Sequence, residues 1–161
     1  MRHRTVINKV TKWLRQQGYR TRREIRFCAD LPDERHIPVF RVDIVAEKGA
    51  EVVGVECKGT SEVRKFSDLC TGIGQAYVLQ RRFGRSYLAL SVDNKTANKV
   101  YRLGKNIIHN VANEVGFGVL LVGKRMILQE PIQPSEPIAE TLFAEYKRTK
   151  QKGEASTLRC S

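Results

Sequence analysis

The sequence predicts an α/β fold in the order helix, three strands, helix, strand. Helices flank a central sheet, and a C-terminal extension of helix, β-hairpin and short helix follows. Two observations carry this. Apolar residues recur at helical spacing in the opening segment and again over residues 66–82, and they alternate with other residues in between. At 161 residues and 41% hydrophobic, the chain can bury one core but hardly two.

Val6, Val10, Trp13 and Leu14 mark one face of the opening helix, which Gly18 ends. Residues 23–28 alternate as a strand, with Ile25 and Phe27 on one face and Glu24 and Arg26 on the other. Residues 31–38 hold two prolines and mixed charges and read as a loop. Phe40, Val42, Ile44 and Ala46, then Val53, Val55 and Cys57, alternate as the two strands of a hairpin. The helix over 66–82 carries Leu69, Ile73, Tyr77 and Leu79, and 87–92 is an apolar strand. Over 95–113, Val100, Leu103, Ile107, Ile108 and Val111 stand at helical spacing, interrupted by Gly104. A buried strand over 117–122 turns at Gly123 and Lys124 into 126–128. Pro131, Pro134 and Pro137 then mark a linker, so the main domain is 1–130, followed by 131–161 with a short basic helix over 138–150 and a frayed tail.

The hairpin carries the chemistry. Asp43, Glu56 and Lys58 fall opposite its apolar positions, so all three share one face. With a turn centred on Lys48 and Gly49, in a loop of two or four residues, Asp43 pairs across from Gly54. Glu56 is then its diagonal neighbour, roughly 7–8 Å away, and Gly54 leaves space for an ion and its waters. A three-residue loop would throw Glu56 to the other face. Two carboxylates are hard ligands suited to Mg2+ or Mn2+, which keep several waters. The backbone carbonyl of Cys57 is a further ligand, and Lys58 can orient a water or meet developing negative charge. The plain alternative is a solvated strand face on which Lys58 pairs with its acidic neighbours.

Asp43, twelve intervening residues, then Glu56, Cys57 and Lys58 resembles the D…ExK signature of the PD-(D/E)XK nuclease superfamily. This superfamily includes restriction endonucleases, Mrr-like enzymes, archaeal Holliday-junction resolvases and RecB-like nucleases. The resemblance implies a restriction-endonuclease-like core with a mixed central sheet, Asp43 and Glu56 as metal ligands and Lys58 as the catalytic lysine. It implies an Mg2+-dependent endodeoxyribonuclease, structure-specific if it follows the resolvases, and a homodimer if it follows the resolvases and the many restriction enzymes of the superfamily that are dimers. Many members carry an acid in the first helix. This chain has none there, and Glu24 is the substitute to test. RecB-like members have Gln followed four residues on by Tyr, whereas Gln75 is followed by Tyr77 and then Leu79. A side-chain amide at Gln75 could fix Lys58, a water or a phosphate; its alternative is an ordinary polar helix position. The same fold also serves as a non-catalytic nucleic-acid-binding module, and RNA is an alternative substrate to DNA.

Formal net charge is +12, and its distribution matters more than its total. Through residue 26 nine Lys or Arg, among them Arg22, Arg23 and Arg26, face the single acid Glu24. A second block, Arg81, Arg82, Arg85, Lys95, Lys99, Arg102 and Lys105, faces only Asp93. Such blocks attract phosphates by counterion release, without reading sequence. For one residue alone a solvated helix face is the simpler reading; for the blocks together the reading is nucleic acid. Cys28, Cys57, Cys70 and Cys160 form no CxxC pair, and His3, His36 and His109 are scattered, so structural zinc is not expected. The glycines of 71–74 lack the pattern of a nucleotide-binding loop and read as close helix packing or a helix start. Trp13 lies on the apolar helix face and reads as core, although Trp13 and Tyr19 could stack on bases. No apolar run reaches membrane-span length and no secretory leader opens the chain, which sets the expectation of a cytoplasmic protein.

Overall fold

The computed structural model describes residues 1–30, 36–124 and 127–129. Helix α1 (His3–Gln16) is followed by β1 (Arg20–Asp30), β2 (His36–Lys48) and β3 (Glu51–Lys58). A single-turn helix α2 (Thr60–Val63), α3 (Phe66–Phe83), β4 (Ser86–Ser91), α4 (Lys95–Val115), β5 (Gly118–Val122) and β6 (Ile127–Gln129) complete the order. The six strands lie side by side in chain order, antiparallel from β1 to β3, parallel from β3 to β5, and antiparallel again at β6. This is a mixed α/β sheet flanked by helices. The expected helix and hairpin after β4 are α4 with β5 and β6. The short helix expected over 138–150, and the linker before it, lie outside the described residues.

Parallel strands need crossover helices, which cover the sheet and bury its central strands on both faces. Against one face α1 sets Val6, Ile7, Val10 and Leu14, which join Ile44, Ala46, Val53, Val55 and Cys57 in one core cluster. Trp13 is partly buried there, edge-on to Tyr87 at 6.1 Å, as its place on the apolar face predicts. On the other face Leu69 and Ala76 of α3 and Tyr101, Ile108 and Ala112 of α4 pack with Leu88, Leu90 and Val119. Leu79 and Phe83 close the core over Val45 and Val52.

Three sequence expectations need correction. The hairpin turn is Gly49 with Ala50, because β2 and β3 pair from Lys48–Glu51 to Ile44–Val55. Gly49 takes φ +60, which a residue without Cβ adopts at no cost, and so fixes the turn one residue later than expected. Gly54 therefore faces Val45, not Asp43, and its missing Cβ makes room for Phe83 and Leu79 rather than for an ion. The α4 face is also rotated. Ala97, Tyr101, Gly104, Ile108 and Ala112 are buried, while Leu103 is 77% and Ile107 53% exposed. Small residues bring α4 close to α3, with Leu69 and Phe66 both 3.5 Å from where a Cβ on Gly104 would stand, so α4 turns its small residues inward. Tyr77 of α3 is likewise exposed, and the buried positions there are Leu69, Gly72, Ala76, Leu79, Gln80 and Phe83.

Third, residues 36–38 are not loop but the start of β2, and β1 is longer than 23–28 at both ends. Pro38 stands opposite Cys28 at a register shift in the β1–β2 ladder. Beyond Ile44 the strand has no described partner in β3, so a residue without an N–H is tolerated there. No described helix is long and apolar enough to cross a membrane.

Gly54→Ala tests the register. A Cβ there would stand 2.7 Å from Phe83 Cδ2 and 3.0 Å from Leu79 Cδ2. Overpacking of that kind costs about 1–3 kcal/mol. A denaturant midpoint lowered by that amount is expected, and an unchanged midpoint would mean that open space, not Phe83, lies over Gly54.

Candidate active site and metal centre

The site forms where β2 parts from β3. The ladder ends at Ile44–Val55, and the next residues along are Asp43 and Glu56, brought directly opposite rather than diagonal by the later turn. There the Asp43 side chain takes over from the backbone: its Oδ2 accepts the Cys57 N–H at 2.8 Å. Parity does the rest. Asp43, Glu56 and Lys58 point to the α3 face, while Ile44, Val55 and Cys57 join the α1 cluster.

The residues are not on a solvated strand face. Asp43 and Glu56 are each 3% exposed and Lys58 7%. Burying charge is costly unless it is paired and hydrogen-bonded, and these groups are. Lys58 Nζ lies 2.9 Å from Glu56 Oε1 and donates to Gln75 Oε1 at 2.9 Å. Gln75 thus reaches the cluster from the middle of α3. Gly72, one turn earlier, lets α3 lie over the lysine: a Cβ there would be 2.9 Å from Lys58 Cε and 3.1 Å from Leu88 Cδ1.

Two further residues complete the cluster and had no signal in the local sequence. His3, at the start of α1, approaches Asp43 Oδ1 through Nε2 at 3.3 Å and Glu62 Oε2 through Nδ1 at 3.0 Å. Glu62, in α2, also accepts the Gly59 N–H at 2.7 Å, and its Oε1 lies 3.9 Å from Lys58 Nζ. The partners explain the charge states. Hydrogen bonds to Asp43 and then Glu62 raise His3 to about 10, so both ring nitrogens donate. Against the upward push of burial, the bonds from His3 and Gly59 hold Glu62 below its ordinary range. Burial and then the Asp43 charge push Glu56 up to about 7, despite the opposing pull of Lys58. Cys57 is fully buried, and desolvation first, then the neighbouring carboxylates, push its thiol well up, so it behaves as a small hydrophobe.

Among the described residues no group of three or more His, Cys, Asp or Glu forms a metal cage. Asp43 and Glu56 are a smaller set of hard oxygen donors, the number that Mg2+ usually takes from a protein. The donor set itself fits a cation here: two hard carboxylates are buried in one cluster, and burial first, then the Asp43 charge, push Glu56 up even with Lys58 Nζ 2.9 Å away. The Cys57 carbonyl, one residue on, is available as a backbone oxygen.

Glu24 stands differently. Arg23–Ile44 and Ile25–Val42 pair on either side, which sets Glu24 across from Asp43. Yet its φ is +52, the one positive value outside glycine among the described residues, and its side chain is exposed without a bond to the cluster. Arg22, Arg23 and Arg26 are exposed along β1, with Arg23 donating to Asn8 Oδ1 at 2.6 Å. Arg81 and Arg82 are half-buried on aromatic rings, Arg82 4.1 Å from the centre of Phe27 and Arg81 5.3 Å from that of Tyr77. Tyr19 donates to Glu51 Oε1 at 2.6 Å.

No protein-family model matches the chain, and no curated protein matches it. A solved structure described as "Crystal Structure of Protein of Unknown Function AF1548" is similar to it, with a TM-score of 0.43 and 16% sequence identity over 88% of this chain. The match spans 65% of that chain's length.

The raised Glu56 has a stability consequence in metal-free protein. Between about 4.5 and about 7 the unfolded chain loses this proton while the folded state keeps it, so the folded state binds more protons and stability falls as pH rises through that window. Glu56→Gln removes the effect. Relative to wild type, its urea midpoint should rise steadily from pH 4.5 to pH 7 and then level off. A constant difference across that range would place Glu56 in an ordinary, solvated environment.

Proposed function

We propose that the protein is a metal-dependent endonuclease of the PD-(D/E)XK superfamily, with a restriction-endonuclease-like core, that hydrolyses phosphodiester bonds in DNA. The observation that carries this is the convergence of Asp43, Glu56 and Lys58, buried together where β2 and β3 separate, with the half-buried Gln75 accepting from Lys58. The D…ExK spacing and the helix-and-strand order around it support the same reading, and the exposed arginines of β1 add the electrostatic footprint of a polyanion.

A divalent cation held by Asp43 and Glu56, with the Cys57 carbonyl as a further ligand, supplies Lewis acidity and a bound water of lowered pKa. The chain's own residues do the remaining work. Lys58 presents an ammonium group that orients the attacking water and meets the charge that develops on the phosphoryl oxygens. Gln75 holds that ammonium in place, and Gly72 lets the lysine lie flat beneath α3. Arg22, Arg23 and Arg26 bind the phosphate backbone without reading bases. A branched or junction substrate is the finer form of the proposal, and a homodimer would present two such sites to it.

The test is incubation with supercoiled, linear, single-stranded and four-way-junction DNA, and with matched RNA, in Mg2+ or in chelator. Asp43→Asn and Glu56→Gln each remove a ligand without removing volume, and each should lower Mg2+-dependent cleavage by at least about 10²-fold while DNA binding persists. Lys58→Ala should be inactive yet still bind metal. Wild-type rates from either carboxylate variant would end the proposal. Cleavage confined to RNA would redirect it, and binding without cleavage of any substrate would favour a non-catalytic module.

A further inference from the structure

His3 stands in the site without a part in the chemistry described so far, and its placement is over-determined. The start of α1 is bound to the exit of β3 by the Thr60 N–H, which donates to the Met1 carbonyl at 2.9 Å. Gly59 permits the approach, since a Cβ there would fall 2.6 Å from the His3 backbone nitrogen and 3.0 Å from its Cα. Only a glycine lets helix and strand end meet this closely. The result puts the imidazole between two carboxylates from different elements, Asp43 on β2 and Glu62 on α2.

The consequence for Asp43 is orientation. Its two oxygens are separately engaged, Oδ2 by the Cys57 N–H and Oδ1 by His3 Nε2. With both held, the carboxylate plane is fixed about its last torsion, which is otherwise broad for aspartate. Glu62 in turn holds His3 Nδ1 and is itself held by the Gly59 N–H and drawn towards Lys58. A chain of contacts therefore runs from α2 through His3 to Asp43.

We infer that His3, backed by Glu62, is the positioning residue that sets the Asp43 carboxylate for its cation. The metal part of the inference rests on the endonuclease reading; the orientation of Asp43 does not. Outer groups that orient a ligand typically alter metal affinity 10–100-fold when removed.

The experiment uses the full chain and the variants His3→Ala, His3→Gln and Glu62→Gln. In metal-free protein, amide exchange of Cys57 reports whether Asp43 Oδ2 keeps its bond, with the other β3 amides as the internal reference for any general loss of stability. His3→Ala should speed Cys57 exchange about tenfold relative to its β3 neighbours, and His3→Gln, which keeps an N–H donor, should restore most of the protection. Calorimetry with Mn2+ should then show affinity lowered 10–100-fold in His3→Ala, less in Glu62→Gln, and least in His3→Gln. If Cys57 and its neighbours change together in His3→Ala, His3 is a tether for α1 and the inference is overturned. Failure of wild type to take up Mn2+ would instead sink the metal-dependent reading, leaving Cys57 exchange to decide the role of His3.

Discussion

The site depends on the parting of β2 from β3 at Asp43. Two antiparallel strands that stayed paired would bury Asp43 and Glu56 in a closed ladder with no room between them. Here the ladder stops at Ile44–Val55, and the first amide past it, that of Cys57, is satisfied by the Asp43 carboxylate instead of by a strand carbonyl. A buried amide without a partner is costly, so one side chain satisfies the backbone and keeps a carboxylate inside the protein. The freed length of β2 continues outward beside β1, where Pro38 is tolerated opposite Cys28 and Glu24 takes a positive φ.

Around that opening the charges are close to balanced but not fully so. Three carboxylates, Asp43, Glu56 and Glu62, meet two cationic side chains, His3 and Lys58. Glu56, as deeply buried as Asp43, is pushed up to about 7 by burial first and then by the Asp43 charge. Stability is given up there, and on the proposed function the return is a pair of hard oxygen donors already facing each other before a cation arrives. The walls are set by close approach: Gly72 admits Lys58 beneath α3, and Gly59 admits the first turn of α1.

Much of this was legible in the sequence, and the limits have physical causes. Alternation is a period-2 signal, so the shared face of Asp43, Glu56 and Lys58 followed from parity and survives any even shift of register. The register itself did not, because either Gly49 position in a short loop satisfies the pattern and only the backbone chooses. Helical periodicity located α3 and α4, yet the face of α4 was misjudged since small residues, Ala97, Gly104 and Ala112, rather than large apolar ones make the contact. His3 and Glu62 carry no local signal at all. They lie 59 residues apart and meet only through the fit of α1 against Gly59, a tertiary contact that spacing does not encode.

The central claim is that Asp43 and Glu56 together form a divalent-cation site. Anomalous diffraction from crystals of the full chain soaked in Mn2+ tests it most directly, because it locates the ion without reference to any substrate. A peak shared by the Asp43 and Glu56 carboxylates, with Lys58 moved off Glu56 or turned towards a bound water, is the expected result. Crystals that take up Mn2+ elsewhere, or not at all, while Lys58 stays on Glu56 and His3 on Asp43 would contradict it, and the cluster would then be a structural network of buried ion pairs.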